Sequence, residues 1–119
     1  MLIKGNFTEA FRDALFSALE TGEMLPVTHL AVGSGAGTDR LVSEMARKPV
    51  EEFSIAEGVL TVVAEFDKDE LPEAVKEMAI IAGGTEDPGT GTTYGYARVN
   101  REGKEPQLVV GRWTVECGG

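Results

Sequence analysis

The sequence predicts an α+β domain, an antiparallel β-sandwich with an N-terminal amphipathic helix packed against it and a short second helix. Three observations carry this expectation. Apolar residues from Phe7 to Leu19 recur at three- and four-residue spacing, the period of a helix with one apolar stripe. From Val50 onward, short apolar runs alternate with turn-forming breaks, as in successive antiparallel strands. Met78 to Ala82 is nearly all apolar, so a strand there is expected to be covered on both faces. The 119 residues read as a single domain, 1–119, and 42% hydrophobic residues can supply a core without metal or disulfide staples.

Asn6 is read as a helix N-cap, with Glu9 reaching back to its amide. Phe7, Phe11, Ala14, Leu15, Ala18 and Leu19 form the buried stripe, and Arg12, Asp13, Ser17 and Glu20 the opposite face. The helix is expected to end near Thr21, with Gly22 as its stop. After Pro26, Val27 to Val32 reads as a strand in which Leu30 and Val32 point one way and His29 and Ala31 the other.

A glycine-rich loop, Gly33 to Gly37, follows. Asp39 or Thr38 is then read as the cap of the second helix, Arg40 to Arg47, with Leu41, Val42 and Met45 inward and Pro49 beyond its end. On that helix Glu44 and Lys48 would form a weak surface pair.

Val50 to Ile55 and Val59 to Phe66 are expected to form a hairpin around Ala56-Glu57-Gly58. Asp67 to Glu73 is a polar loop, and Val75 to Ala82 a strand. Gly83 to Thr93 is a second glycine-rich loop, and Tyr94 to Asn100 with Gln107 to Glu116 is a closing hairpin across Arg101 to Pro106.

The composition excludes several functions. A formal net charge of -9, with eleven scattered basic residues, opposes the phosphate contacts on which nucleic-acid binding depends. No run approaches the ~20 apolar residues of a membrane span, and the start has no signal-peptide pattern, so synthesis and folding in a cytoplasm are expected. The one cysteine, Cys117, cannot close an internal bridge and reads as a strand-end residue.

The motifs with chemical potential are few. Gly33, Gly35 and Gly37 give G-x-G-x-G between a strand and a helix, close to a dinucleotide turn, but Thr38-Asp39-Arg40 follows where a P-loop needs Gly-Lys-Ser/Thr. Asp39 would set a negative charge beside a phosphate, so a strand-to-helix connection is the better reading. His29, the single histidine, has no neighbouring nucleophile and reads as a surface or edge residue. Asp67, Asp69, Glu70 and Glu73 begin like a calcium loop, but Leu71 holds position five and the glycine is missing, leaving a solvated loop.

Glu77 stands out inside its apolar strand. Three roles are open in order of preference: an edge position reaching solvent, an ion pair with Arg98 or Arg112, and a catalytic acid. Tyr94 and Tyr96 would share one face of the last hairpin, with Trp113 nearby, which suits a sandwich core first and a sugar platform second. No catalytic, cofactor or metal-binding residue is assigned.

The order of segments resembles phage tail-collar fibre and related tail-appendage proteins. Those read as a helix, an "ithIalGtGtg" strand and loop, an "L-x-x-E-x-x-R-x-x-V" segment, a hairpin, an "E-x-G-L-f" strand, "l-a-r", and a closing W-x-v. The corresponding residues are PVTHLAVGSGAGTD, then Leu41, Glu44, Arg47 and Val50, then Glu77 to Ile81, Tyr96-Ala97-Arg98, and Trp113-Thr114-Val115. The match runs from Phe7 to Glu116, with Ala79 departing from the usual glycine and with no fibre shaft after the domain. The resemblance implies a virion structural protein of the tail, at the collar, baseplate or fibre attachment. It implies partners among other tail proteins and a homo-oligomer, with no catalytic residues and no cofactor, while charge and composition lead to the expectation of no nucleic-acid or membrane partner. A capsid decoration or head-fibre role is the near alternative, and a small carbohydrate- or ligand-binding module the distant one. The loops Gly33 to Asp39 and Gly83 to Thr93 are the expected contacts with neighbours, being long, glycine-rich and able to order on docking.

Overall fold

In the computed structural model, which describes residues 2–23, 26–37, 40–66, 75–99 and 111–118, the chain is predominantly β with one helix. The elements are β1 (Leu2–Phe7), α1 (Glu9–Thr21), β2 (Val27–Gly33), β3 (Glu44–Pro49), β4 (Glu52–Ala56), β5 (Val59–Phe66), β6 (Glu77–Ala82), β7 (Thr92–Arg98) and β8 (Gly111–Gly118). All eight strands join one sheet in the order β3-β2-β6-β7-β1-β8-β5-β4, curled into a half-barrel. The polar loop 67–73, the expected caps Thr38 and Asp39, and the turn 101–106 lie outside the described residues, as do the side chains of Arg112 and Trp113.

The expected two-layer antiparallel sandwich is thus replaced by a single mixed sheet. β1 causes the change. It pairs antiparallel with β7 and parallel with β8, so it separates the two strands expected to form a closing hairpin. Its inward residues are Ile3, Gly5 and Phe7, a period of two hidden by the glycine. A Cβ on Gly5 would come within 2.7 Å of the Ala97 Cβ and closer still to the Tyr96 carbonyl oxygen, so glycine is required for β7 to approach.

The helix keeps its expected end but not its start or its full stripe. Gly22 takes a left-handed φ of 76° and donates its N–H to the Ala18 carbonyl at 2.8 Å. Thr8, not Asn6, is the N-cap, because Asn6 belongs to β1; the Thr8 hydroxyl accepts from the Phe11 amide and donates to the Thr93 carbonyl. Phe11 is the helix's one buried side chain, stacked on Phe7 at 4.3 Å and edge-on to Tyr94 at 5.2 Å. Leu15 and Leu19, expected inside, are exposed beside Phe16.

No helix spans Arg40 to Arg47. Residues 40–43 form an irregular strap, and β3 pairs antiparallel with the edge of β2. The apolar spacing of Leu41, Val42 and Met45 fits a helix in sequence, but it serves three environments. Leu41 packs on Ala31, Ala79 and Ile81 of the outer sheet face, Val42 is exposed, and Met45 lies against the main core. The free edge of β2 offers a full ladder of backbone bonds, which outweighs the small propensity of a short, weakly capped helix.

Pro49 and Glu52 bound a corner that shapes the whole sheet. Val50 donates its N–H to Thr28 of β2 at 3.0 Å, and Glu51 donates to Val63 of β5 at 2.9 Å. Within two residues the chain leaves one edge of the sheet and becomes the other, which forces the sheet to curl. The concave face holds the core, with Leu30, Leu60, Val62, Phe66, Met78 and Ile80 almost wholly removed from solvent. β6 is buried along its full length, as its apolar run predicted. The β4–β5 hairpin also forms as expected, turning through Glu57 and Gly58 at φ 52° and 78°.

Candidate functional site

Glu77 sits at the start of β6 with no solvent exposure, on the outer sheet face that the strap crosses. One carboxylate oxygen accepts from the amides of Gly35 (3.2 Å), Val42 (2.9 Å) and Ser43 (2.9 Å). The other accepts from the Tyr96 hydroxyl at 2.8 Å and more weakly from Val42 at 3.2 Å. Tyr96 in turn accepts from the Gly37 amide at 2.8 Å. Every partner is a donor, so this side chain acts as an acceptor alone and ties both ends of segment 33–43 to the sheet. Burial, then the hydrogen bond to Glu77, raises the Tyr96 pKa above its ordinary value.

Glu77 does not reach solvent, and among the described residues its partners are backbone amides and a tyrosine rather than Arg98, its cross-strand neighbour in register; the side chain of Arg112, the other expected partner, lies outside the described residues. Gly33 and Gly35 of the G-x-G-x-G motif have the same explanation. A Cβ on Gly33 would lie 2.5 Å from the Ser43 carbonyl oxygen and 2.6 Å from Glu77, and one on Gly35 would lie 2.9 Å from the Val42 side chain. The motif makes room for a carboxylate the protein itself supplies, in the place where a nucleotide turn would put phosphate.

A second fastening holds the other glycine-rich loop. Arg47 on β3 forms an ion pair with Glu44 at 2.7 Å, with both side chains largely buried. Its remaining nitrogen donates to the carbonyls of Thr85 and Thr90, each at 3.0 Å, and Glu44 accepts from the Gly89 amide at 3.2 Å. Residues three apart in a regular strand point to opposite faces. Here the register shifts between Val32 and Gly33, leaving Met45 as an extra residue, and the bulge brings Glu44 and Arg47 to one face. The expected Glu44–Lys48 helical pair is therefore replaced by Glu44–Arg47.

The described residues of both glycine-rich loops are thus fastened to the sheet. Between them lies an open groove of about 870 Å³, walled by Glu9 and Asp13 of α1, Arg40 and Val42 of the strap, and Thr90 to Thr93.

The other singled-out residues separate in space. His29 is buried on β2, not at the surface, with Nδ1 2.8 Å from the Thr28 hydroxyl. Tyr94 and Tyr96 are both buried but do not share a face. A register shift at Ile80/Ile81 makes Tyr94 the extra residue, turning it to the core while Tyr96 faces Glu77. Neither tyrosine ring is offered to solvent on this strand. Cys117 is fully buried beside Gly95, and burial pushes its thiol pKa up to about 12.

Among the described residues no group of three or more His, Cys, Asp or Glu is placed to hold a metal ion. No described helix is long and apolar enough to cross a membrane. Comparison of the chain with protein-family models, curated proteins and solved structures gives no match.

Proposed function

We propose that the chain is a bacteriophage virion structural protein, a collar, baseplate or fibre-attachment component of the tail. It acts by assembly with other virion proteins and with copies of itself, not by catalysis, after synthesis in the host cytoplasm. The observation that carries this reading is the use made of the motif residues. Glu44, Arg47, Glu77 and Tyr96 fall at the positions that resemble tail-appendage proteins, and all four are engaged in fixing two loops to a sheet. Polar groups saturated by backbone partners are poor candidates for acid–base work and good ones for holding a rigid surface.

The exposed apolar residues agree with assembly. Phe16 and Leu19 on α1 and Phe53 and Ile55 on β4 are all more than half exposed. A second layer brought against the open end of the half-barrel would also complete the sandwich that the sequence suggests. Immunogold labelling of intact particles from the source tests the proposal. Gold at the tail supports it, gold over the head moves the role to capsid decoration or head fibre, and unlabelled particles with antigen accessible in lysate overturn it.

A further inference from the structure

α1 carries a second apolar line besides the one that seats it on the sheet. Arg12, Phe16 and Leu19 follow at four- and three-residue spacing, within about 60° of arc on a helix of 3.6 residues per turn. Phe11 and Ala14 pack into the core from another side of the helix. Phe16 is 69% exposed and Leu19 83%. Glu23 follows the Gly22 cap, four positions beyond Leu19, with its amide held to the Thr21 hydroxyl at 3.3 Å. The line therefore runs cation, apolar, apolar, anion. Among the described residues, neither the Arg12 nor the Glu23 side chain has a hydrogen-bond or ion-pair partner.

Such a line is complementary to itself reversed. Two copies of α1 laid antiparallel, with a two-fold axis between Phe16 and Leu19, set Phe16 of each against Leu19 of the other. The same register sets Arg12 against Glu23 at both ends. No acid then faces an acid, because Asp13 and Glu20 fall opposite Gly22 and Leu15, and Glu9 falls beyond the end of the facing helix. A parallel pair would oppose Arg12 to Arg12, and an antiparallel pair centred on Phe16 would oppose Glu9 to Glu23. We propose that this face of α1 is a self-association surface, and that its occupant is α1 of a second copy in the antiparallel arrangement. The net charge of -9 opposes association in general and leaves the Arg12–Glu23 contacts to fix register. Helices about 20 Å long bury less than the ~1,200 Å² of a stable interface, so the pair is weak. It forms where assembly already holds copies close together. This inference rests on the assembly reading and names the face by which copies meet.

The test is sedimentation equilibrium of the whole chain up to about 1 mM, the effective concentration of tethered copies. The expected result is a reversible dimer. Phe16→Ser combined with Leu19→Ser should weaken it at least about tenfold, with an unchanged urea midpoint showing that the fold survives. Arg12→Glu or Glu23→Arg alone should weaken it about five- to tenfold, since each turns two attractions into repulsions. The two single variants, mixed, should pair with each other at the parent's strength, because every contact between positions 12 and 23 again joins opposite charges. The double variant carrying both exchanges should recover the dimer by itself.

A chain that stays monomeric to about 1 mM overturns the proposal. So does a dimer untouched by the Phe16/Leu19 variant, or a mixture of the two charge variants that pairs no more tightly than either alone. Tail labelling with a monomeric chain removes the helix pair and leaves the assembly reading standing. The dimer as expected with unlabelled particles does the reverse.

Discussion

Replacing Glu77 by glutamine separates a structural acceptor from a solvated surface acid. The substitution keeps the shape and exchanges one acceptor oxygen for a donor. If the new NH2 group takes the place of the oxygen facing Gly35, Val42 and Ser43, it meets three N–H donors. The other orientation costs less: the NH2 group then faces Tyr96, whose hydroxyl already accepts from Gly37 and loses the acceptor for its own proton. One to two hydrogen bonds to a charged acceptor are lost, at about 1.5–3 kcal/mol each, so Glu77→Gln should cost roughly 2–4 kcal/mol. Glu77→Ala leaves the strap amides without a protein acceptor and should cost about 3–5 kcal/mol, limited by the strap's freedom to lift and hydrate. Urea unfolding with linear extrapolation gives the stability, and native-state hydrogen exchange at Val42 and Ser43 gives the local opening. The glutamine variant should lose protection at these two amides ahead of those of β6. A glutamine variant within about 0.5 kcal/mol of the parent, with both amides still protected, would refute the assignment of Glu77 as the strap's anchor.

Arg47→Met removes the donor to Thr85 and Thr90 and leaves Glu44 largely buried without its cation. It should cost about 3–5 kcal/mol, and limited proteolysis should begin to cut within 83–91; a loop as resistant as the parent's counts against the fastening. Gly5→Ala forces a methyl against Tyr96 and Ala97 and should destabilise by about 1–3 kcal/mol. A neutral urea midpoint for that variant would argue that β1 does not lie against β7. The Cys117 thiol gives the pH dependence. Its folded pKa of about 12 lies above the ordinary 9.0, so the folded state holds the proton that the unfolded chain releases. Stability from this group is intact below pH 9 and falls by about 1.4 kcal/mol per pH unit as pH rises toward 12. Tyr96, also raised, steepens the loss above its ordinary value of 10.0. Urea midpoints against pH for parent and Cys117→Ala check this, and the alanine variant should decline less between pH 9 and 10.

Where one segment buries its own pattern, the sequence sufficed. The left-handed stop at Gly22, the β4–β5 hairpin around Glu57-Gly58, and the doubly buried run of β6 follow from local backbone preference and apolar content. A β-rich chain with an N-terminal helix followed from the same signals, but the second helix expected over Arg40 to Arg47 did not form. Glu77 was conspicuous in sequence as a lone acid in an apolar run, but its partners were not. Among the described residues three of its four donors are backbone amides, which carry no residue-type signature. The alternation of Ile3, Gly5 and Phe7 was a weak signal for β1, blurred because glycine has no side chain to count.

The tertiary structure decided what depends on unlike segments meeting. It set β1 between β7 and β8, since a parallel pairing has no local turn to announce it. It made residues 44–49 a strand, because the open edge of β2 offered a ladder that a two-turn helix could not match. Bulges beside Gly33 and at Tyr94 reversed which side chains share a face, and a single inserted residue suffices for that when the side-chain period is two. Periodicity thus determined which segments bury apolar surface, and long-range backbone pairing decided which faces they turn to one another.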